Sequence, residues 1–342
     1  MLTIAGIPIG PDSYTTCYYD ALIKNGVRVI EGDLSGRWLL ANRRDVDYLH
    51  LNWPSFLYKN KSAIASLKKF LRFIVLLAFA RFCGIRLLWT AHNLYPHDRN
   101  KIAGLDRLGR KILVSLCYRI FAHGKSAALI VAREFPGVHG KLVIIPHGNW
   151  IGYYKDECSR ATARARLQIP SDQFVFLFLG LCKEYKNLEY LVNCFQNGPF
   201  GKATLWIAGR FQETEYYARV KAKIERQPQK IRLENRFIAD DELQYYLAAC
   251  NAVVLPYADV LTSGSVMLAI SFGRPVIAPR LGHLRDVINP ECGILYNPFD
   301  PEGLSRAMRH VQALYFDDAA IRQHARTFEW QTAAMESILA LN

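Results

Sequence analysis

The chain has 342 residues, 51% of them hydrophobic, and a formal net charge of +13. This length exceeds what one hydrophobic core usually supports, and no low-complexity tract is present, so two well-packed domains are expected. Eight cysteines are scattered without a C-x-x-C spacing. This pattern argues against a disulfide framework or a zinc site and favours reduced thiols in a cytosolic protein.

The first half of the chain alternates apolar strands with helical stretches. Its opening segment lacks a charged leader and reads as a strand rather than a signal peptide. The predicted strands are, in chain order, LTIAGIPI, VRVIEG, VDYLHLNW, IRLLWTAHN, VSLCYRIFAH, SAALIVARE and KLVIIPHGNW. The stretch TTCYYDALIKNG between the first two is predicted to be a helix that ends at Gly26. Such alternation indicates a parallel sheet covered by helices.

Most of the net positive charge lies in residues 59–111, which hold twelve Lys or Arg side chains and two acids, a net charge of +10. The apolar run within this segment is too short to cross a bilayer. A basic band around an apolar helix suits an anionic membrane surface, and we expect Phe70, Phe73 and Leu77 to insert there. A solvated basic face is the alternative. Because no nucleic-acid-binding signature accompanies the band, we expect no nucleic-acid partner.

The second half repeats the pattern of strands and helices. A polar stretch, KDECSRATARARLQIPSD, connects the two halves, and the segment from about residue 317 onward reads as one or two helices. The predicted strands are QFVFLFLG, ATLWIAG, IRLENRFI, AVVLPY, PVIAP and GILYN. We place the domain boundaries at residues 1–155, 156–325 and 326–342, the last being a terminal helix.

The most informative motif is YADVLTSGSVMLAISFGRPVIAP, residues 257–279. A small-residue knot joins a short strand to an apolar helix here, and consists of Thr262, Ser263, Gly264 and Ser265. A helix N-terminus with backbone N–H groups and hydroxyls is a ready anion site, and the diphosphate of a nucleotide sugar is the anion we expect. The alternative is an ordinary crossover in which these residues only cap the helix.

This motif and FLFLGLCKEYKNLEYLVNCF, residues 176–195, together resemble the C-terminal half of GT-B glycosyltransferases, especially bacterial exopolysaccharide and lipopolysaccharide enzymes of the family 4 type. The resemblance implies an α/β fold of two Rossmann-like parallel-sheet domains facing a cleft, with the terminal helix crossing back to the N-terminal domain. It implies that the donor phosphates are bound by a glycine and two lysines after a strand, and by the small-residue knot. These positions are Gly180, Lys183, Lys186, Thr262, Ser263, Gly264 and Ser265.

The chain departs from the family at two positions. Retaining family 4 enzymes usually carry two glutamates eight residues apart, and this chain has Val260 and Leu268 there. Either the donor is bound through the hydroxyls of the knot instead, or the enzyme follows another stereochemical route. We favour the first explanation and leave the anomeric outcome open.

The motif TAHNLYPHD follows an apolar strand, where open α/β sheets bind ligands. By resemblance, His92 faces the donor sugar, and Asp98 or His97 is a candidate general base if the enzyme inverts. The alternative is that Asp98 only helps to build a turn. A second histidine, His147, either approaches the donor or shapes the interdomain connection.

Two acidic motifs resemble metal-binding sites but have simpler structural explanations. Asp45 and Asp47 form a D-x-D pair, the metal signature of a different glycosyltransferase fold, but they open an apolar strand and we interpret them as part of a turn. The cluster at residues 240–242 precedes a helix, where acids interact favourably with the helix dipole. We therefore expect no metal site.

The resulting hypothesis is a metal-independent hexosyltransferase of cell-surface polysaccharide synthesis. It would use a UDP- or GDP-linked sugar as substrate, need no cofactor, and act on a lipid-linked saccharide as a peripheral protein on the inner face of the cell membrane. The alternatives are another GT-B enzyme, such as a sugar-nucleotide epimerase, and a catalytically silent subunit that binds a partner enzyme.

Overall fold

The computed structural model describes residues 1–9, 13–98, 100–226 and 230–342. The chain forms two compact units. Unit 1 consists of Met1–Gly148 together with Glu329–Asn342, and unit 2 of Asn149–Phe328. Each unit contains a six-stranded sheet in which every strand pairing is parallel. The protein is therefore α/β, as the strand pattern predicted.

The strand order is β2-β1-β3-β4-β5-β6 in unit 1 and β12-β11-β10-β7-β8-β9 in unit 2. The strands of unit 1 are β1 (Thr3–Ile7), β2 (Arg28–Glu31), β3 (Tyr48–Leu51), β4 (Arg86–Thr90), β5 (Cys117–His123) and β6 (Leu142–Ile145). Those of unit 2 are β7 (Val175–Leu179), β8 (Thr204–Ala208), β9 (Ile231–Glu234), β10 (Ala252–Val254), β11 (Val276–Pro279) and β12 (Gly293–Tyr296).

Helices connect the strands and cover the sheets. Those in the first part of the chain are α1 (Ser13–Lys24), α2 (Gly36–Asn42), α3 (Ala63–Phe82), α4 (Leu105–Leu116) and α5 (Lys125–Glu134). The helices that follow are α6 (Arg160–Arg166), α7 (Leu188–Asn197), α8 (Thr214–Ile224), α9 (Leu243–Ala249), α10 (Gly264–Ser271), α11 (Leu284–Val287), α12 (Gly303–Ala313), α13 (Asp318–Arg326) and α14 (Trp330–Leu341). Short 3-10 turns span Pro54–Leu57, His139–Lys141 and Glu184–Lys186.

One strand prediction is wrong. The segment SAALIVARE, expected to be a strand, lies in helix α5. Its buried residues, Ala127, Ala128, Val131 and Ala132, recur at helical spacing. A short apolar run fits a buried strand or one face of a helix equally well, and here the alanines fit the helix.

Helix α14 belongs to unit 1, where it packs against α1 and β6. The Tyr18 hydroxyl donates to Ser337 Oγ at 2.7 Å, and the Tyr48 hydroxyl donates to the Leu341 carbonyl oxygen at 3.0 Å. Gly148 makes room for the indole of Trp330, because a Cβ at Gly148 would lie 2.0 Å from that ring. The terminal helix therefore completes the N-terminal unit, as the resemblance predicted.

Within each sheet the strand order reverses direction once. In unit 1 the reversal lies between β1 and β3, and in unit 2 between β7 and β10. Loops that follow such a pair of strands diverge to opposite sides and leave a crevice at the carboxyl edge of the sheet, where open α/β sheets bind ligands. Each unit thus has one crevice at which a site is expected.

The basic helix α3 differs from its prediction. Phe70, Phe73 and Leu77, which we expected to insert into a membrane, are buried in the core of unit 1. They share one face of α3 with Ser66 and Ala80, and this face packs on the unit. Within the described residues, none of the helices combines the length and the apolarity needed to span a bilayer.

Candidate functional site

The crevice of unit 2 is built on two glycines at the ends of neighbouring strands. Gly180 follows β7 with φ +132°, and Gly209 follows β8 with φ +154°. A Cβ at Gly209 would lie 1.8 Å from the Gly180 carbonyl oxygen, so only glycine allows the two loops to approach this closely. A Cβ at Gly180 would lie 3.7 Å from Ser265 Oγ, which places the β7 loop beside the start of α10.

A buried lysine connects the loops that follow β7 and β10. Lys186 Nζ donates to the Tyr257 hydroxyl at 3.0 Å, and that hydroxyl lies 2.8 Å from Ser263 Oγ. The backbone joins the same loops, because the Ala258 N–H donates to the Tyr185 carbonyl oxygen at 2.9 Å. The structure therefore brings Lys186 and Ser263 together at the reversal point of the sheet.

Lys186 retains its positive charge in this position. Burial lowers the pKa of its ammonium group, but the neighbouring Tyr257 and Tyr185 outweigh burial and the pKa lies above its usual value. The nitrogen also lies 4.2 Å from the centre of the Tyr257 ring, a favourable cation–π position. A charged lysine next to a helix N-terminus is suited to hold an anion.

The small-residue knot forms the N-terminus of α10. Ser263 caps the helix, since its Oγ accepts a hydrogen bond from the Val266 N–H at 3.4 Å. The indole N–H of Trp150 donates to the Gly264 carbonyl oxygen at 3.0 Å and anchors the first turn. Thr262 and Ser265, the other hydroxyl-bearing residues of the knot, are half-buried.

The other sequence candidates of unit 2 lie around this arrangement. Lys183 is half-buried and precedes the 3-10 turn that carries Lys186. Val260 is buried and Leu268 half-buried, so apolar side chains occupy the positions of the two family glutamates. Glu242 pairs with Arg236 at 2.6 Å, and this guanidinium holds the pKa of the carboxyl below its usual value. Glu242 therefore forms a structural ion pair, and its side chain makes no capping hydrogen bond to α9, which differs from the expected helix-capping role.

The crevice of unit 1 holds a cluster of buried histidines. One histidine lies in or just after each of four adjacent strands, β3 to β6: His50, His92, His123 and His147. The rings of His92 and His123 are 5.6 Å apart, and those of His123 and His147 are 5.0 Å apart. Because the strands are parallel, their carboxyl ends bring all four side chains to one edge of the sheet.

Aromatic rings enclose this histidine cluster. Trp53 stacks on His92 at 4.4 Å, and Tyr14 meets the same imidazole edge-on at 4.4 Å. Tyr14 also lies 5.1 Å from Trp330 of α14. The ring centres are at distances typical of favourable aromatic pairs, so the imidazoles are held in fixed orientations.

A chain of hydrogen bonds fixes the proton positions of two imidazoles. Asn52 donates to the Tyr19 hydroxyl at 3.0 Å, so its carbonyl oxygen accepts from His92 Nε2 at 3.1 Å. The Tyr19 hydroxyl in turn lies 3.0 Å from His50 Nδ1, and His50 Nε2 lies 2.8 Å from Thr90 Oγ1. With Tyr19 donating to His50, both imidazoles carry a proton on Nε2.

Burial keeps these imidazoles neutral. It lowers the pKa of His50 to about 3 and that of His147 to about 4, the latter despite the hydrogen bond from Nδ1 to the Gly148 carbonyl oxygen. Burial, and then the neighbouring His147 and His50, lower the pKa of His92 well below its usual value. His92 therefore acts as a neutral hydrogen-bonding group near pH 7.

Asp98 lies in a different setting from His92. Its side chain is about half exposed, and its carboxylate lies 3.6 Å from Lys59 Nζ. The loop between the two residues is anchored by Arg110, which donates to the Leu94 carbonyl oxygen at 2.8 Å. The structure thus places His92 in the buried cluster and Asp98 in a surface ion pair.

The acidic motif of residues 45–47 lies beside β1. Asp47 accepts a hydrogen bond from the Thr3 N–H at 2.8 Å, a contact with β1 rather than one within the predicted turn, and Asp45 is exposed. Across the part of the chain that the structure describes, no group of three or more His, Cys, Asp or Glu side chains is arranged to hold a metal ion.

Several residues of both crevices escaped the sequence analysis. In unit 1 they are His50, Asn52, His123, Tyr14, Tyr19 and Trp53, and in unit 2 Tyr257, Gly209 and Trp150. The histidines did leave a signal, because four successive strand segments each carry a histidine at or near their carboxyl end: LHL, TAH, FAH and IPH. The unit 2 partners are distant in sequence and left no comparable pattern.

Comparison with known proteins agrees with this geometry. Residues 173–313 match the family model for glycosyl transferases group 1. The chain is 28% identical over 310 residues to GDP-mannose:glycolipid 4-beta-D-mannosyltransferase of Xanthomonas campestris pv. campestris, an alignment that covers 88% of this chain and 80% of the relative.

Two solved structures share the fold. Sucrose-phosphate synthase of Thermosynechococcus elongatus has a TM-score of 0.76 and 17% identity, covering 100% of this chain and 98% of that one. Anabaena HepE, in complex with UDP and glucose, has a TM-score of 0.70 and 15% identity, covering 100% and 99%. The protein therefore has the GT-B fold. Residues 173–313 of its unit 2 match the glycosyl transferases group 1 model, and the chain as a whole is similar to GT-B glycosyltransferases.

Proposed function

We propose that the protein transfers a hexose from a nucleotide sugar to a lipid-linked saccharide in cell-surface polysaccharide synthesis. The observation that carries this proposal is the buried, charged Lys186 beside the N-terminus of α10, within the group 1 domain. The glycolipid acceptor is suggested by the Xanthomonas relative, whose name also makes GDP-mannose the first donor to test.

The donor diphosphate is assigned to the crevice of unit 2. Transfer breaks the bond between the anomeric carbon and the diphosphate oxygen, so negative charge develops on the departing nucleoside diphosphate. Lys186, Lys183 and the N–H groups at the start of α10 would stabilise that charge, with Thr262 and Ser265 as further donors. These groups would perform the role that a divalent ion has in other transferases, and the proposed reaction is therefore metal-independent.

The acceptor is assigned to the crevice of unit 1. We assign His92 to positioning a sugar hydroxyl, because its imidazole is neutral and its Nε2 is oriented by Asn52. Asp98 stays a candidate general base for an inverting reaction, and it would have to leave Lys59 to act. The proposed setting is the inner face of the cell membrane, where nucleotide sugars and a lipid-linked acceptor meet.

Release of nucleoside diphosphate tests this proposal. The purified chain is incubated with GDP-mannose, UDP-glucose and other nucleotide sugars, with and without lipid-linked saccharides extracted from a polysaccharide-producing bacterium. We expect acceptor-dependent release of one nucleoside diphosphate and a mass increase of one hexose on the lipid. Conversion of the donor to an epimer without release would instead identify an epimerase, and inertness with every pair would indicate a silent subunit.

A further inference from the structure

Helix α3 is apolar on two opposite faces. The buried face packs on unit 1, whereas residues on the opposite side point to solvent. The exposed apolar residues form a stripe at spacings of three, four and seven positions: Ile64, Leu67, Leu71, Val75 and Phe82. We call this set the α3 stripe. A helix on the surface of a soluble protein normally places polar side chains at these positions.

The α3 stripe is long and strongly exposed. Leu71 is 57% exposed, Val75 65% and Phe82 86%. From its first to its last residue the stripe spans about 27 Å at 1.5 Å per residue. Scattered exposed apolar side chains are ordinary, but a continuous row of this length marks a surface that is covered in use.

Cations border the stripe and no acid lies on the helix. Lys68, Lys69 and Arg72 are exposed along one flank, and Arg81 lies on the other. Within the residues that the structure describes, Lys68, Lys69 and Arg72 form no ion pair with a carboxylate. A partner that offers both an apolar interior and a layer of negative charge would satisfy the stripe and its flank together.

A small cavity lies where the flank meets the body of unit 1. It has a volume of about 220 Å³. Its lining combines two cations and one acid with apolar side chains: Lys69, Arg72, Asp33, Leu34, Leu57, Phe73 and Leu76. The cations outnumber the acid, and a phosphate-bearing head group fits this combination of charge and apolar wall.

We propose that the α3 stripe and its cationic flank dock unit 1 on an anionic phospholipid bilayer, with α3 lying in the plane of the interface. The apolar side chains enter the boundary between head groups and acyl chains, and Lys68, Lys69 and Arg72 contact lipid phosphates. A second copy of the chain is disfavoured as the occupant, because it would bring the same unpaired cations against this face. The proposal rests on the proposed function for its biological setting, since a lipid-linked acceptor would lie in the same bilayer.

Vesicle flotation of the full chain, with no donor or acceptor present, tests the docking face. The vesicles are phosphatidylcholine with about 30% phosphatidylglycerol, compared with phosphatidylcholine alone. We expect Leu71→Gln with Val75→Gln to weaken binding at least ~10-fold, because two apolar side chains no longer leave water. The matched control is Ile23→Gln with Leu129→Gln, two exposed apolar residues elsewhere in unit 1, and it should bind like wild type.

The charge contribution has its own variants. Lys68→Gln with Arg72→Gln should weaken binding roughly 10-fold on the anionic vesicles and little on neutral ones, since each cation near the lipid contributes separately. The control, Lys24→Gln with Lys125→Gln, removes two exposed cations elsewhere in unit 1. It should bind both kinds of vesicle like wild type. Circular dichroism and thermal unfolding establish that each variant is folded.

The outcomes separate the docking face from the proposed function. The docking face would be overturned if the stripe variant and its control lost vesicle binding to the same extent, or if the stripe variant floated with the vesicles as the wild type does. A concentration-dependent dimer of the wild type that the stripe variant abolishes would also overturn it. A wild type that binds anionic vesicles through α3 but transfers no sugar would support the docking face and refute the proposed function. Turnover on a water-soluble acceptor should be unaffected by the stripe substitutions.

Discussion

The ammonium nitrogen of Lys186 lies 3.0 Å from the hydroxyl oxygen of Tyr257 and 4.2 Å from the centre of its ring. This contact joins the loops that follow β7 and β10, two neighbouring strands of the sheet. The same hydroxyl contacts Ser263, the N-cap residue of α10. Among the described residues, Lys186 forms no ion pair with a carboxylate, so this buried cation lies beside the crevice without a counter-ion. Its charge remains available for the donor.

Removing the charge of Lys186 should impair donor use. We expect Lys186→Met to lower kcat/KM for the nucleotide sugar by about 10- to 100-fold, because a charge-assisted contact contributes about 1.5–3 kcal/mol. Tyr257→Phe should lower kcat/KM by a smaller factor. Expressed as free energy, the loss in the double variant should be smaller than the sum of the losses in the two single variants, since the residues act together. Lys202→Met, an exposed lysine of unit 2, is the control. Wild-type donor kinetics in Lys186→Met would reject the assignment.

The protonation state of His92 should respond to its partner Asn52. In Asn52→Asp a carboxylate faces His92 Nε2 and raises the pKa of the imidazole, because it favours the imidazolium form. The acidic limb of the kcat profile should therefore move to higher pH by about one unit or more. Asn193→Asp adds the same charge on exposed α7 and should leave the profile in place. Identical profiles for both variants would show that His92 protonation does not govern transfer.

Acid should destabilise unit 1 through its buried histidines. The pKa values of His50 and His147 are about 3 and 4 in the folded protein, and about 6.5 when the chain is unfolded. As the pH falls below about 6.5, the unfolded state binds more protons than the folded state, and the free energy of unfolding decreases. The contribution of the two neutral histidines to stability is therefore complete above about pH 6.5 and is lost toward pH 4 and 3.

Urea unfolding at a series of pH values measures the effect. His50→Gln should reduce the slope of unfolding free energy against pH by up to about 1.4 kcal/mol per unit between about pH 6 and 4. His310→Gln, on the exposed face of α12, should preserve the wild-type slope. Equal slopes in His50→Gln and wild type would contradict the burial argument.

Sugar transfer should continue in the presence of EDTA. The proposed stabilisation of the leaving diphosphate comes from Lys186, Lys183 and α10, and Asp47 is engaged with backbone at Thr3. We expect kcat to change by less than about twofold on chelation, since no metal is needed to neutralise the developing charge. Complete loss that Mn²⁺ or Mg²⁺ restores in wild type, but not in Asp45→Ala, would establish a metal role for the D-x-D pair.

Most strands, and the start of α10, were predictable because their signals are local. An apolar run that ends in glycine, a β-branched run that ends in proline and tyrosine, and a hydroxyl-rich knot before an apolar helix each occupy neighbouring positions in the chain, and these patterns located β7, β10 and α10. What Lys186 contacts was not predictable. Its partner Tyr257 is 71 positions away, and their contact depends on β7 and β10 being neighbours in the sheet.

The error at α3 has a different cause. Its apolar residues lie on both sides of the helix, so helical spacing identifies two faces without telling which one meets the core. Phe70 and Phe73 belong to the buried face, and Leu71 and Val75 to the exposed one. Only the packing of α3 on the rest of unit 1, including α2, α4 and β4, distinguishes them.

The two-part composition of unit 1 has a consequence for synthesis on the ribosome. All of Asn149–Phe328 must be translated before Glu329–Asn342 can supply α14, which at 5–20 residues per second takes on the order of ten to forty seconds. During that interval the nascent unit 1 lacks α14. The hydroxyls of Tyr18 and Tyr48 then have no α14 acceptors, and the Tyr14 ring lacks its contact with Trp330. The six strands of unit 1 are translated first, but unit 2 is translated in full before unit 1 receives its last helix.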